Sequence, residues 1–446
     1  MTIAASSLDL IGIGVGPANL SLAALLQPCD GIRSLFFERN AEFRWHPGLM
    51  LPNSALQVHH IKDLVTLADP TSRYSFLAFL SRHKRLYSFV NANFTQVLRS
   101  EFDEYMRWVC SELPNLKFDC AVEEVTSDAG GFLVHTSRGT WRSHHLVIGT
   151  GVRPKLPACT VPHLGTTVWH ASQHLFQTAQ LAGKRVVVVG GGQSGAEVFL
   201  HLVSSGDALP DSVVWLSRRG NFAPLDDSPF TNELFTPGYS DYFFELPRAV
   251  KQRVLEDQKL ASDGVSMSTL EAIYRRLYEL KFLTESRCRA DLRPGRELEG
   301  LDRTATGWRL SIRHEHTRAV ELVDADAVVL ATGYEQSLPA CLEPCQHLVH
   351  RDHGDLVVNP DFSIACDGPP GSRIYVQNGA RGQRGIADPN LSLLAWRSAK
   401  IANSIVGWVL YDVELEDSLV SWDPRDPELE MSGYHGSILD SVERTL

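Results

Sequence analysis

The sequence predicts an α/β fold in which two parallel sheets, each covered by helices, form separate domains. Two segments carry this prediction: LIGIGVGPANLSLAALL and VVVVGGGQSGAEVFLHLV. Each has the pattern of an apolar strand, a glycine-rich turn and an apolar helix. Their glycine turns lie about 180 residues apart. Parallel strands need a long crossover connection, usually a helix, so each segment indicates the βαβ opening of a Rossmann-like domain.

The first opening predicts a strand at residues 8–11, a helix from about 18 to 26, and a second strand at 34–37. The segment HHLVIGTGVRP indicates a further strand at the exit from this domain. In the second opening, VVWLSRR supplies the strand after the helix. The apolar segment DAVVLATGY, which starts near Asp326, is expected to return the chain to the first domain. A last helix is predicted at 391–406, and the tail from about 414 is expected to be mobile.

These elements divide the chain into two domains. We expect a discontinuous first domain at residues 1–160 and 325–446, and a second domain at 161–324. No strand pattern occurs between about 220 and 285, which predicts a helical insertion that contributes to a substrate pocket.

Composition narrows the function. The chain of 446 residues has a net charge of -11, and no basic stripe indicates a nucleic-acid partner. Its eight cysteines include no CxxC pair, so we expect reduced, mostly buried thiols without disulfides or a metal site. No signal peptide and no apolar run of about 20 residues is evident, which predicts a cytoplasmic protein without membrane contact.

The first glycine turn contains Gly12, Gly14 and Gly16, with Pro17 where the third glycine of GxGxxG would stand. Glycines let the backbone approach a pyrophosphate, and the following helix offers free N–H groups. Glu38 lies 22 residues after Gly16, where an acid would accept hydrogen bonds from an adenosine ribose. A tight turn without a ligand is the alternative.

The second turn matches GxGxxG in full. Its candidate residues for binding a nicotinamide cofactor are Gly190, Gly192, Gln193, Ser194 and Gly195. The next strand ends in LSRR, the residues Ser217, Arg218 and Arg219, where an NAD site would prefer an acid. Arginines can bind a 2′-phosphate, so the pattern favours NADPH over NADH. A solvated pair of surface arginines is the alternative.

Two dinucleotide sites in one chain imply electron transfer between two cofactors, usually FAD and a nicotinamide. A disulfide reductase uses the same pair but needs a redox-active cysteine pair beside the flavin. Since no CxxC occurs, oxygen is the expected electron acceptor.

Several segments resemble the siderophore-pathway N-hydroxylating monooxygenases that act on lysine, ornithine or diamines. They are GIGVGPANL, FRWHPGLMLP, IKDLVTLADPTSRYSF, VVVGGGQSGAE, LSRR, DDSPFTNELFTP, ATGY and GIADPNLSLLAWRSA, between about residues 8 and 400. The resemblance implies that NADPH reduces FAD, that reduced FAD captures oxygen as a C4a-hydroperoxide, and that the substrate amine attacks the peroxide to give a hydroxylamine. It also implies a homotetramer and no catalytic side chain, because the flavin carries the chemistry.

The resemblance also carries over site residues. Beside the flavin, it implies Trp45, His46, Pro47, Gly48 and Gln57, and a covering C-terminal segment with Asn378, Asp388, Leu391 and Ser392. In contact with the substrate, it implies Lys62, Asn232, Gln57 and Ser392, with Asn232 also near NADPH. Core packing for Trp45, a structural role for His46, a surface position for Lys62 and a helix cap for Asn232 are the alternatives.

The segment ASDGVS suggests the substrate. Ornithine enzymes of this family carry a TNY-type segment there, whereas the lysine and diamine branch carries SDG, as at Ser262, Asp263 and Gly264. These residues favour lysine, cadaverine or putrescine over ornithine. Among the three, the resemblance favours an aliphatic diamine, cadaverine first or putrescine, with L-lysine as the close alternative. A flavin monooxygenase acting on sulfur or a ketone, and a non-catalytic protein that binds FAD and NADPH, are the remoter alternatives.

Overall fold

The computed structural model describes residues 7–94, 96–178, 181–285, 288–414 and 418–423. In chain order its strands are β1 (Leu8–Ile13), β2 (Ser34–Phe37), β3 (Leu116–Lys117), β4 (Val122–Asp128), β5 (Gly131–Thr136), β6 (Gly139–Ile148), β7 (Arg153–Pro154), β8 (Val168–His170), β9 (Arg185–Val189), β10 (Ser212–Ser217), β11 (Arg289–Pro294), β12 (Arg296–Thr304), β13 (Gly307–His314), β14 (Val320–Ala325), β15 (Ala327–Leu330), β16 (Tyr334–Glu335), β17 (Arg351–Asp352), β18 (Asp355–Leu356) and β19 (Ile374–Val376).

The α-helices are α1 (Pro17–Leu26), α2 (Phe76–Arg82), α3 (Leu86–Ala92), α4 (Arg99–Glu112), α5 (His174–Gln177), α6 (Gln193–Val203), α7 (Pro229–Asn232), α8 (Pro237–Glu245), α9 (Arg248–Asp257), α10 (Lys259–Asp263), α11 (Met267–Phe282), α12 (Arg381–Arg384) and α13 (Leu394–Val406). Short 3₁₀ turns, among them Pro47–Leu49, Ala171–Gln173 and Leu391–Leu393, join some of these elements.

The first sheet has the strand order β3-β2-β1-β6-β5-β4, and β19 pairs with the end of β6. Strands β1, β2, β3 and β19 run parallel to β6, whereas β4 and β5 form an antiparallel meander with it. Helix α1 covers this sheet and is buried along almost its whole length, as an apolar crossover helix between parallel strands must be. The predicted α/β class and the first βαβ opening are confirmed.

The second sheet has the order β11-β10-β9-β15-β8, and all of its strands are parallel. Strand β15 is the segment that we expected to return the chain to the first domain, and this prediction is wrong. Val328 and Leu330 face one core of the second sheet, while Ala327 and Val329 face the other. An apolar strand buried on both faces belongs between two neighbours of a parallel sheet. The return follows it, where β16 pairs with β7.

A small antiparallel sheet of β12, β13 and β14 packs against one face of the second sheet. Trp308, Leu310 and Ile312 of β13 enter the same core as Val187 and Val328. The sequence analysis did not predict this sheet, whose alternating pattern at 307–314 (GWRLSIRH) is the signal that indicates it.

The region at 220–285 contains helices α7 to α11 and no strand, as predicted. Two cores share it. Phe235 and Ala261 belong to the core of the first sheet, and Val265 and Ile273 belong to that of the second. The insertion therefore divides near Gly264, where a side chain would meet the backbone of Leu225 at 2.3 Å.

The predicted last helix is present as the turn Leu391–Leu393 and α13. The tail that we expected to be mobile lies largely outside the described residues. All eight cysteines are thiols outside disulfides, but only Cys120, Cys288, Cys341 and Cys345 are buried.

His145 predicts how stability depends on pH. Burial, with smaller contributions from His144 and Arg373, lowers the pKa of His145 to about 4, and its Nδ1 accepts a hydrogen bond from the backbone N–H of Arg373. Unfolded histidine titrates near 6.5, so acidification protonates the unfolded state first. Between about pH 6.5 and 4 the protein should lose roughly 3 kcal/mol of stability through this residue.

Urea unfolding at pH 7, 5.5 and 4.5 measures this loss. The variant His145→Asn keeps an acceptor and removes the proton site, so its stability should fall less with acidification than that of the wild type. His347→Asn, at an exposed histidine that does not contribute to this shift, is the control. Equal acid sensitivity of the wild type and His145→Asn would contradict the assignment.

Candidate active site between two glycine turns

The first glycine turn connects β1 to α1 at the carboxyl end of the first sheet. Gly14 has φ +88°, and a Cβ there would lie 2.7 Å from the carbonyl oxygen of Gly149. A Cβ on Gly12 would lie 2.1 Å from the ring of Phe36. Helix α1 begins at Pro17 without a side-chain cap, which leaves N–H groups of its first turn free. This backbone fits a pyrophosphate, as predicted from the motif.

Two polar side chains support this turn. Glu38, just after β2, accepts hydrogen bonds from the N–H of Val15 (3.0 Å) and of Asn40 (2.9 Å). Its carboxylate therefore lies beside the turn, where a ribose is expected. Asn19 donates to the carbonyl of Gly14 (2.8 Å), and its buried Oδ1 has no partner among the described residues. The sequence analysis missed Asn19, although a polar residue in the largely apolar helix PANLSLAALL was the available signal.

The second turn connects β9 to α6, and its glycines leave even less space for a side chain than those of the first turn. A Cβ on Gly190, which has φ +126°, would lie 2.0 Å from the carbonyl oxygen of Ala331, and one on Gly195 would lie 2.0 Å from that of Gly190. Helix α6 begins at Gln193 after Gly192. This helix start also fits a pyrophosphate.

Both polar atoms of the Gln193 side chain form hydrogen bonds within the protein. Its Oε1 accepts from the N–H of Ser266 (2.8 Å), and its Nε2 donates to Glu197 (2.7 Å). Ser194, in contrast, is half-buried and its hydroxyl has no hydrogen bond among the described residues. Of these two predicted residues, Ser194 is the one with an unused polar group.

The residues after β10 differ in whether their polar side-chain groups already have partners within the protein. Ser217 is 1 % exposed, and its hydroxyl accepts from the N–H of Arg219 (3.2 Å). Arg219 also donates to the carbonyl of Asp263 (2.8 Å). Arg218 has 72 % of its side chain exposed and only a loose ion pair with Glu297 (3.7 Å). Arg218 is therefore the arginine with its guanidinium available for a phosphate.

The turn after β2 contains Trp45 and His46. Trp45 is half-buried against Phe102, and its backbone N–H donates a hydrogen bond to the carboxylate of Asp103 (3.0 Å). His46 has a left-handed backbone, and desolvation, followed by the charge of Arg99, lowers its pKa to about 4. Yet the residue is accessible to solvent. Contact of His46 with the flavin therefore stays a prediction.

Lys62 lies on a rigid segment. The buried carboxylate of Asp63 accepts hydrogen bonds from the backbone of Val65 (2.9 Å), Thr66 (2.7 Å) and Phe76 (2.6 Å). Burial nevertheless raises the pKa of Asp63. Lys62 itself is half-buried, desolvation lowers its pKa, and within the described ranges its ammonium has no hydrogen bond or ion pair.

The other predicted substrate contacts are less distinctive. Gln57 and Asn232 are exposed. The amide of Asn232 donates weakly to the carbonyl of Asp227 (3.3 Å), and Ser228, rather than Asn232, caps α7. The structure does not bring Gln57 or Asn232 into contact with Lys62, so their roles stay predictions.

Asp388 forms a fully buried ion pair with Arg397 (3.1 Å), in which the side chains are 0 % and 1 % exposed. It also accepts from the N–H of Ala380 (2.9 Å), and Arg397 donates to Asn378 (2.5 Å). The buried side chain of Asp388 thus links Ala380 to Arg397 within the C-terminal segment. Any contact of Asp388 with FAD stays a prediction.

The neighbouring residues of this segment are also turned inward. Ser392 is 3 % exposed, and its hydroxyl donates to Asn390 (2.9 Å). Leu391 is half-buried against the first core. Substrate contact by Ser392 stays a prediction, since its hydroxyl already has a partner.

The two sheets meet along a boundary that we call the seam, which includes Arg99, Glu197, Ser262 and Arg381. Arg99 of α4 forms an ion pair with Glu197 of α6, and both side chains are largely buried. Arg381 of α12 donates to the hydroxyl of Ser262 in the SDG segment (3.3 Å). These contacts join the domain that contains the first glycine turn to the domain that contains the second.

A cavity of about 390 Å³ opens at the carboxyl ends of β6 and β19. Of the residues expected in the site, Asn378 alone lines it. A smaller one of about 240 Å³ is lined by Trp45, Pro47 and Met50. Cavity size is a weaker guide here than the glycine turns, because an extended dinucleotide lies along an open cleft. In the described part of the chain, no group of three or more His, Cys, Asp or Glu residues could hold a metal, and no helix could cross a membrane.

Two glycine turns at the carboxyl ends of two parallel sheets, joined by a seam, define an oxidoreductase with two dinucleotide cofactors. Comparison with known proteins agrees. A family profile described as L-lysine 6-monooxygenase/L-ornithine 5-monooxygenase matches residues 6–336. The chain is 38 % identical to the L-lysine N6-monooxygenase of Escherichia coli, over 93 % of this chain and 98 % of that protein.

Solved structures give the same result. The FAD-bound cadaverine monooxygenase of Erwinia amylovora has a TM-score of 0.88 at 31 % identity, over 94 % of this chain and 99 % of that chain. The ornithine N-hydroxylase of Kutzneria sp. 744, with reduced FAD, NADP⁺ and L-ornithine, has a TM-score of 0.83 at 30 % identity, over 90 % and 99 %. The chain belongs to the L-lysine 6-monooxygenase/L-ornithine 5-monooxygenase family.

Family membership confirms the predicted class. The protein is a flavin-dependent N-hydroxylating monooxygenase of siderophore biosynthesis that uses FAD, NADPH and oxygen.

Coenzyme preference tests the arginines after β10. Arg218→Ala should raise KM for NADPH about tenfold or more, because a charge-assisted hydrogen bond is worth roughly 1.5–3 kcal/mol, and leave KM for NADH unchanged. Arg289→Ala, at a similarly exposed and loosely paired arginine of β11, is the control. If the two coenzymes respond alike, Arg218 does not contact the 2′-phosphate.

Proposed function

We propose that this enzyme hydroxylates the side-chain amine of L-lysine, and that cadaverine or putrescine is the second candidate. This order reverses the preference inferred from the sequence alone. The observation that supports it is the half-buried ammonium of Lys62, which no side chain of the described residues neutralises.

Three lysines in the protein have a pKa lowered by burial: Lys62, Lys251 and Lys400. Lys251 donates to the carbonyl of Phe244 (2.7 Å), and Lys400 pairs with Asp241 (3.0 Å). Lys62 is the exception. A partly desolvated cation without a partner is unfavourable, and a carboxylate supplied by the substrate would offset that cost. L-lysine carries such a carboxylate, whereas a diamine would bring a second cation.

The reacting amine has to be neutral, because it reacts through its lone pair. A free alkylammonium has a pKa near 10.4, so the protein has to lower that value. In the turn after β2, desolvation lowers the pKa of the His46 imidazole to about 4. Desolvation of this kind would also favour the neutral form of a substrate amine.

Bound FAD supplies the oxygen-activating chemistry, with NADPH as the electron donor. We assign FAD to the domain formed by residues 1–160 and by the chain that follows β15, with Gly12, Gly14, Gly16, Pro17 and Glu38 as its principal contacts. We assign NADPH to the domain of 161–324, extended to include β15, with the turn at Gly190–Gly195 and Arg218 as its contacts. These assignments rest on the backbone geometry of the two turns.

The diamine alternative has its own support in Asp263. This carboxylate is about one-third exposed, and it lies in the SDG segment beside the second glycine turn. It could pair with the second ammonium of cadaverine or putrescine. Arg381, 3.9 Å away, already compensates part of its charge, which makes it a weaker partner. Membership of the N-hydroxylating family argues against the remoter alternatives, oxidation of sulfur or a ketone and binding without catalysis. A cytoplasmic location and a homotetramer stay predictions.

Hydroxylamine formation by the FAD-loaded enzyme with NADPH and air tests the substrate. L-lysine, cadaverine, putrescine and L-ornithine should be compared in parallel. We expect L-lysine to give the highest kcat/KM. For Lys62→Met, KM for L-lysine should rise about tenfold or more, as for loss of a charged hydrogen bond, and KM for cadaverine should stay the same or fall.

Lys84→Met, at an exposed lysine, is the matched control and should change neither value. Product from a diamine but not from L-lysine would favour the second candidate. A Lys62→Met variant that keeps the KM of the wild type for L-lysine would remove the basis of the proposal. NADPH oxidation without hydroxylamine from any amine would leave sulfur and ketone substrates to examine.

A further inference from the structure

The turn that follows β2 belongs to both halves of the protein. Trp45 packs against the core of the first sheet. A few residues later, Leu49 and Leu51, which are 4 % and 5 % exposed, are buried in the core of the second sheet. The chain therefore crosses the seam between the sheets within the segment WHPGLML.

At the crossing point lies Gly48. A Cβ at this position would be 2.0 Å from the carbonyl oxygen of Ser172 and 2.7 Å from its carbonyl carbon. These are backbone atoms, which cannot move aside as a flexible side chain can. Ser172 belongs to the 3₁₀ turn Ala171–Gln173, directly after β8 of the second sheet. The close approach of the two turns therefore depends on the missing side chain of Gly48.

The turn at Ser172 is connected in turn to the second glycine turn. His170 accepts a hydrogen bond from the N–H of Ser172 (3.2 Å), and its other ring nitrogen bonds the carbonyl of Gly333 (3.1 Å). The same chain segment, at Ala331, makes the close contact with Gly190. A continuous series of contacts, through the backbone and the imidazole of His170, thus runs from the turn of Trp45 to the turn of Gly190.

We propose that Gly48 is a positioning residue that sets the separation between the flavin side and the nicotinamide side of the enzyme. Gly48 is buried and has no side chain that could take part in the reaction. It acts through the Ser172 turn, which it allows to pack directly on the flavin-side segment. A methyl group at position 48 would force the two turns apart by about an ångström, and misplacement by that amount can lower a rate about a hundredfold.

Transient kinetics of Gly48→Ala tests this proposal. In anaerobic stopped flow, reduction of bound FAD by NADPH should be about a hundredfold slower than in the wild type. Reoxidation by oxygen of enzyme reduced with dithionite needs only the flavin side, and its rate should change less than twofold. Gly165→Ala, at a glycine with open space around it, should match the wild type in both steps.

Hydrogen exchange gives a second measurement that does not depend on turnover. In the protein without NADPH, residues 46–52 and 168–176 should exchange faster together in Gly48→Ala than in the wild type. Normal reduction by NADPH in Gly48→Ala would overturn the proposal. Equal slowing of reduction and reoxidation would also overturn it, since that result indicates general damage to the flavin site.

If Gly48→Ala does not fold or does not retain FAD, Leu51→Ala provides the same test from the other side of the seam. This change leaves Gly48 in place and weakens the hold of its segment on the second core. We expect slower reduction by NADPH with unchanged reoxidation. A Leu51→Ala enzyme that retains FAD and is reduced at the rate of the wild type would contradict the proposal.

Discussion

Two cofactors bound on separate sheets are useful to each other only if their reactive rings meet, so the enzyme depends on the seam between its two sheets. The closest contact described along this seam involves the backbone, where Gly48 meets Ser172. The buried ion pair of Arg99 with Glu197 adds a polar contact. Backbone contacts of this kind leave little freedom, because neither partner can move without moving its whole turn.

Charged groups in the structural framework differ from those at the candidate site in whether they have partners within the protein. In the framework, buried charges have partners: Asp388 pairs with Arg397, and Arg384 and Lys400 share Asp241. A buried charge without a partner is costly, so this arrangement is expected. Lys62 departs from it, and His46 is desolvated while still accessible to solvent. Such departures from local rules are typical of functional positions, where a ligand completes what the protein leaves unsatisfied.

Much of the fold could be predicted from the sequence, and the reasons differ between elements. The strand at 34–37 and helix α1 follow from local hydrophobic patterns and turn residues, which neighbouring structure does not alter. Strand β15 was recognised as a strand but assigned to the wrong sheet. Its pattern, apolar on both faces, specifies a buried parallel strand and does not say which sheet contains it. Likewise, a glycine or a serine in a motif does not show whether its side of the chain faces a ligand: Ser392 is turned inward and Ser194 is not.

The sequence by itself determined the two βαβ openings, the helical character of the insertion and the class of chemistry. Those features depend on residues close together in the chain, where glycine spacing and apolar periodicity act directly on the backbone. Only the tertiary structure decided that the insertion divides between two cores, that Asp388 is paired inside the protein, that Lys62 has no partner, and that Gly48 meets Ser172. Each of these facts is a contact, or the lack of one, between residues far apart in sequence. Such contacts are selected by the packing of the whole chain and leave no local pattern behind.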